Sequence, residues 1–175
     1  KITQERARFL LKRMTKFCAA AGMTSAQSDA LIMVLNDVAF LDEAYSALAA
    51  SGELSLRVGQ QYLLRNMGML RPFVESGRRT GDGGATFYTG PLKIIADGSL
   101  GSRTAALLSD YNDAPGTRGL YVHSDEELTE MMTFAHMNDL QMAIHSIGDA
   151  ATSKVLGIIE GLQSKYGNPW RHRIV

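Results

Sequence analysis

The chain has one cysteine, four prolines and one tryptophan in 175 residues, and no surplus of either charge. The single cysteine, Cys18, excludes a disulfide-built scaffold. Eighteen basic residues balance eighteen acidic ones, so nothing supplies the excess positive charge of a nucleic-acid binder. No run approaches the ~20 apolar residues of a membrane helix. The opening KITQERARF is polar and basic, without the apolar core of a signal peptide. There is no internal repeat, no low-complexity tract and no linker. These absences lead to the expectation of a cytoplasmic protein without nucleic-acid or membrane partners.

The 45% hydrophobic and 21% charged composition belongs to a globular chain long enough to bury a core. Residues 4–21 read as a helix with Phe9, Leu10, Met14, Phe17 and Cys18 as its apolar face, ended by Gly22. A short strand over 23–28 follows, then a helix over 29–51 in which Phe40, Leu41, Ala44, Ala47 and Leu48 share a face and Gly52 is the stop. Residues 54–63 alternate as a strand does, and 65–90 look irregular and glycine-rich. A buried strand and sharp turn occupy 91–100, and a long loop runs to 119. Ser124 with Glu127 is a capping box opening a helix over 125–138. A strand and turn over 141–149, a helix to about Lys165 and a strand over 170–175 complete the chain. Strands alternating with helices imply parallel pairing through right-handed crossovers. The start inside a helical pattern and the stop inside a strand-like run, RHRIV, give the expectation that 1–175 is one partial domain, truncated at both ends. A doubly wound sheet and about five units of an eight-stranded barrel both fit this length, since a complete barrel takes ~250 residues. Patterning alone leaves the two open.

Few side chains stand out chemically. Lys93 sits inside the apolar strand LKIIADG, where a lysine is costly unless it is paired, modified or snorkels to solvent. The run Asp97-Gly98-Ser99-Leu100-Gly101-Ser102-Arg103-Thr104 follows at the strand end, where parallel α/β folds gather their sites. It offers a carboxylate, hydroxyls and a guanidinium for an anionic group, or equally a glycine turn capped by Asp97. It lacks the Gly-Lys-[Ser/Thr] ending of a P-loop and the third glycine of GxGxxG. His145 ends the strand AIHSIGD, with Asp149 placed to orient it or to cap the next helix. His123 and His136 read as surface residues, and His172 could point to either face. Cys18 and the nine methionines read as core packing. No HxH, HExxH or Cys/His pair supplies a complete metal site.

The runs LKIIADGSLGSRTAAL (92–107), AIHSIGDAA (143–151) and RHRI (171–174) resemble amidohydrolase family 3, a group of metal-dependent hydrolases that includes the N-substituted formamide deformylases. AAAGMTSAQS (19–28) and SGELSLRV (51–58) resemble further segments in the same order. The resemblance implies an amidohydrolase-type (β/α)8 barrel of which this chain is about strands 2 to 6. In that family a His-x-His pair on the first strand, an often carboxylated lysine on the fourth, histidines on the fifth and sixth and an aspartate on the eighth hold the metal. By resemblance Lys93 takes the bridging-lysine position and His145 the fifth-strand one. Carboxylation would turn a costly ammonium into a pair of oxygen donors.

The departures also follow. The chain has no His-x-His pair and no eighth-strand aspartate, and the family run RHRIEH stands here as RHRIV, with Val175 where glutamate is usual. His172 matches a histidine that is not a ligand. The resemblance therefore implies a parent enzyme that hydrolyses C–N bonds of small amides, N-formyl or N-acyl compounds through a metal-activated water. It implies one or two divalent metals, zinc first among them, with Lys93 and His145 as ligands and Asp97 and Arg103 lining the substrate. No catalytic residue falls within this chain, which alone is expected to be inactive. Exposed barrel edges imply a homo-oligomer. The rival reading is a metal-free α/β domain gripping a small anionic ligand through the Asp97–Thr104 loop.

Overall fold

The computed structural model describes residues 2–30, 37–167 and 170–175. These form two compact units, Lys1–Leu63 with Arg78–Pro91, and Leu64–Gly77 with Leu92–Val175.

In the first unit, helix α1 (Gln4–Ala20) opens on Thr3, whose hydroxyl accepts the Arg6 N–H, and is followed by Gly22 in the left-handed region at φ 86°. Strand β1 (Ser25–Ser28) pairs in parallel with β2 (Arg57–Leu63), Ser25 opposite Arg57 and Ser28 opposite Gln60. Helix α2 (Val38–Ala50) starts later than the expected residue 29, because Asp37 caps the Phe40 N–H; residues 31–36 lie outside the described residues. Its buried face is Leu41, Ala44, Tyr45 and Leu48. Asp42, on the same helix, accepts from the Tyr62 hydroxyl (2.7 Å) and from Arg78 (2.9 Å), tying α2 to β2 and to the start of the segment after α3. Burial, with the Asp42 charge second, holds the Tyr62 phenol well above its ordinary pKa.

The apolar face expected of α1 is not its packed face. Ala7 and Thr15 are the buried residues, while Phe9, Leu10, Met14 and Phe17 are exposed, Phe17 by 74%. The reason is that polar groups fasten α1 in place. Gln4 donates to the Phe40 carbonyl (2.8 Å) and to Glu43 (3.1 Å), and Lys12 pairs with Glu53. Small Ala7 then fits a close helix–helix approach, and the aromatic stripe is left to solvent. Cys18 is half-buried rather than core.

In the second unit, helix α3 (Met67–Glu75) occupies part of the stretch that patterning leaves irregular. Asn66 caps it, accepting the Met69 N–H at 3.1 Å. Gly68 and Pro72 disguise it in sequence, and Pro72 withholds an N–H from the carbonyl of Gly68 four residues back. Strand β3 (Phe87–Ile95) begins earlier than the expected residue 91 and runs from the first unit into the second. Its second half pairs in parallel with β4 (Met142–His145), in the register Leu92↔Met142 to Ile95↔His145. Strand β4 pairs in parallel with β5 (Arg173–Ile174). Helices α4 (Asp125–Met137) and α5 (Asp149–Tyr166) join these strands as the crossovers that parallel pairing requires. The Ser124/Glu127 capping box is present in both directions, at 3.2 and 3.0 Å.

Successive strand residues point to opposite faces, which sorts the side chains. Leu92, Ile94, Met142 and Ile144 occupy one face, each at most 1% exposed. They belong to the same buried core as Leu128, Met131, Met132 and Val155 of α4 and α5. Lys93, Ile95, Ala143 and His145 occupy the other face. The α/β fold with parallel strands in chain order is the one the sequence predicts.

Candidate functional site

Lys93 and His145 come from adjacent strands and share one face. Ile95, two residues beyond Lys93, is the register partner of His145. The separation by two residues keeps Lys93 on that face and sets it one rung deeper than the histidine. Both side chains are half-buried.

The loop after β3 decides how His145 is presented. The imidazole Nε2 lies 2.9 Å from the Gly98 carbonyl oxygen. A carbonyl only accepts, so Nε2 carries the proton and the ring lone pair sits on Nδ1. Asp97 Oδ1 stands 3.9 Å from the same Nε2.

The Asp97 carboxylate itself is fully buried. Its Oδ1 accepts the Ile147 N–H (3.0 Å), and its Oδ2 accepts those of Ala106 (2.9 Å) and Gly148 (2.7 Å). It thus joins the loop after β3 to the turn after β4. Ala106 completes the joint, because its carbonyl accepts from Ala150 at 3.1 Å, in the first turn of α5. Gly148 is required at this point, since a Cβ there would overlap the Ala106 carbonyl.

The middle of the expected substrate loop, residues 99–103, is exposed. Ser99, Ser102 and Thr104 form a chain of hydroxyls, with contacts of 2.8 and 2.6 Å. Arg103 holds a left-handed backbone at φ 55°, uncommon for a residue with a side chain. Its guanidinium grips Asp113 through two contacts, 2.9 and 3.3 Å. This pairing raises the Arg103 pKa and lowers that of Asp113. Of the residues that the sequence singles out for substrate, Asp97 faces inward onto backbone donors, and Arg103 is engaged with a carboxylate of its own loop.

Of the remaining histidines, His136 differs from the sequence reading. His136 is not solvated but buried, at 4% exposure. Its Nδ1 lies 2.9 Å from His172 Nε2, and His172 Nδ1 accepts the Met142 N–H at 3.1 Å. Burial first, then the neighbouring His136, pushes the His172 pKa down to about 4. The only sequence signal for this pair was the alternation that let His172 face either way.

A metal centre needs more than these two side chains. Among the described residues no group of three or more His, Cys, Asp or Glu is placed to hold an ion. Lys93 and His145 nonetheless fit one flank of such a centre. They share a face at the C-terminal end of parallel strands, and the His145 lone pair is held on one known nitrogen.

Parallel β/α units joined by helical crossovers, with Lys93 and His145 toward the carboxyl ends of neighbouring strands, define the class as a parallel α/β scaffold. The sequence model of the amidohydrolase family matches residues 2–175, and the chain belongs to that family. It is 35% identical over 152 residues to the putative amidohydrolase YtcJ of Bacillus subtilis, an alignment covering 87% of this chain and 27% of that protein. It is 38% identical over 81 residues to the protein LONG AFTER FAR-RED 3 of Arabidopsis thaliana, covering 46% of this chain and 14% of that one. Among solved structures it resembles a metal-dependent hydrolase from Pyrococcus horikoshii, with a TM-score of 0.75 and 26% identity over 99% of this chain and 32% of that one. The corresponding hydrolase from Pyrococcus furiosus shares the fold, with a TM-score of 0.73 at 24% identity. The chain therefore spans about a third or less of the length of each of these proteins.

Proposed function

We propose that this chain forms part of the metal-binding wall of a hydrolase that cleaves the C–N bond of small amides, N-formyl or N-acyl compounds. The observation that carries the reading is the shared face of Lys93 and His145 on neighbouring parallel strands, within a chain of the amidohydrolase family. A divalent metal bound there, zinc in this reading, would supply a water acidic enough to attack an amide carbonyl near neutral pH. His145 would offer Nδ1 as a ligand. Lys93, carboxylated on Nζ, would offer two carbamate oxygens. Further donors and the catalytic base would come from outside these 175 residues, so the isolated chain is expected to be inactive. The single cysteine suits a reducing cytoplasm. The rival reading, a metal-free anion site in the 97–104 loop, has less to work with, because the Asp97 and Arg103 side chains already have partners.

The test is the metal content of the whole protein that carries this chain. The expected result is one or two equivalents of zinc, reduced by Lys93→Ala and by His145→Ala, with hydrolysis of N-formyl or N-acyl amines lost in both. A protein that binds no zinc when zinc is supplied overturns the proposal.

A further inference from the structure

We propose that Asp97 is a positioning residue: with the adjoining Gly98 carbonyl, its carboxylate fixes His145 as the Nε2–H tautomer and so leaves the ring lone pair on Nδ1. The tautomer is a property of the metal-free chain. Its use in metal binding rests on the function proposed above.

The side chain could in principle have served substrate, but its geometry commits it elsewhere. A carboxylate with no exposed surface must be compensated, and here three backbone N–H groups do so. Two of them, from Ile147 and Gly148, belong to the turn that begins two residues after His145. The third, from Ala106, closes the loop that begins with Gly98. One carboxylate therefore holds both the backbone that leaves His145 and the backbone that supplies its acceptor.

Gly98 is held from its other side as well. Its N–H donates to the Thr104 carbonyl at 3.1 Å, and a Cβ on it would overlap the Thr104 side chain. Its carbonyl consequently has little freedom to leave Nε2. The electrostatics agree with the geometry. Both groups nearest Nε2, the carbonyl at 2.9 Å and Oδ1 at 3.9 Å, are acceptors and favour a proton there over one on Nδ1. An outer carboxylate or carbonyl that selects the tautomer of a ligating histidine is a general device of metal sites.

Asp97→Asn is nearly isosteric and separates this role from bulk. The amide oxygen can still accept from Ile147, but the NH2 then faces the N–H groups of Ala106 and Gly148, donor against donor. Long-range 15N NMR of the metal-free chain reads the result directly. In the wild type His145 should show a protonated Nε2 and an unprotonated Nδ1. In Asp97→Asn it should show a mixture or the reverse. Asp110→Asn loosens the same loop elsewhere, by breaking the Arg118 pair and the Gly116 N–H contact, and should leave the His145 tautomer unchanged. Zinc added to the whole protein that carries this chain should move the His145 resonances, with about 10–100-fold more needed in Asp97→Asn.

A wild-type His145 protonated on Nδ1 overturns the proposal without any variant, which covers the case of an Asp97→Asn chain that does not fold. A folded Asp97→Asn chain with the wild-type tautomer also overturns it. Zinc that leaves wild-type His145 unmoved counts against the metal reading alone, because the tautomer measurements contain no metal.

Discussion

Acid should loosen the second unit at the His136–His172 pair before it titrates most carboxylates. His172 Nδ1 accepts the Met142 N–H, so its proton sits on Nε2 and is donated to His136 Nδ1. His136 must then carry its own proton on Nε2, a buried atom without a hydrogen-bond partner. A proton added to His172 would meet the Met142 N–H, and one added to His136 would meet the His172 Nε2–H. The pair persists only while both rings are neutral. The His172 pKa falls from 6.5 to about 4 on folding, through burial first and His136 second. A group with a depressed folded pKa leaves the unfolded state binding more protons between the two values. Its contribution is therefore complete above pH ~6.5 and is lost as the pH falls toward ~4. The full shift corresponds to about 3 kcal/mol, and solvent reaching the half-buried ring reduces this to about 1–2 kcal/mol. Urea unfolding at intervals from pH 7.5 to 4.5 should show that loss. His172→Asn, whose amide oxygen can still accept from Met142, should be less stable at pH 7.5 but flatter in pH by the same 1–2 kcal/mol. Subtracting the two curves removes the other histidines and the carboxylates. A His172 that titrates near 6.5 by NMR, or parallel curves for the two chains, would refute the reasoning.

Three further outcomes are expected. Gly148→Ala forces a methyl into the Ala106 carbonyl and should cost about 1–3 kcal/mol, whereas Gly157→Ala, in open space within α5, should stabilise by about 0.5–1 kcal/mol; urea midpoints of equal sign would contradict this. Ser124→Ala removes one half of the α4 capping box and should cost about 1 kcal/mol in the same assay, while an unchanged midpoint would show that the cap carries no stability. The exposed Phe9, Leu10, Met14 and Phe17 on α1 should make the chain self-associate, with light scattering showing a concentration-dependent mass that Phe17→Lys lowers. A concentration-independent monomer would sink that expectation.

Element order was legible because apolar periodicity and end signals coincide in most of the chain. Ser124 marks a helix start, and Gly22 and Gly52 mark stops with positive φ, whereas the Asp37 cap of α2 is not distinguished by pattern from the residues before it. Helix α3 escaped because Gly68 and Pro72 are poor helix formers, and packing of Leu70, Phe73 and Val74 outweighs them. The α1 face was misread for the opposite reason. Its periodicity is real, but a hydrophobic stripe does not say whether this chain or something else covers it. Lys93 and His145 could be singled out because charge and imidazole are unusual in apolar strands. Their common face needed the parallel register, which no local pattern contains. The His136–His172 contact joins residues 36 apart, and the alternation around His172 does not name its partner.

The run after β3 shows how a motif that is conspicuous as ligand chemistry can also serve its own closure. Its glycines, hydroxyls and charges look like equipment for gripping a ligand. The structure uses several of them to close the loop on itself. Asp97 is consumed by three backbone donors, Gly98 is demanded by Thr104, and Arg103 is fastened to Asp113. Gly119 and Gly148, outside the run, are demanded by the Ala105 and Ala106 carbonyls. Backbone closure of this kind fixes residue type as strictly as substrate contact does, because a Cβ against a carbonyl cannot be relieved by a rotamer change. The exposed hydroxyls of Ser99 and Ser102 carry no such constraint. Altering Ser99 and Ser102 should therefore change what the loop touches, whereas altering Asp97, Gly98 or Gly148 should change whether His145 is correctly aimed.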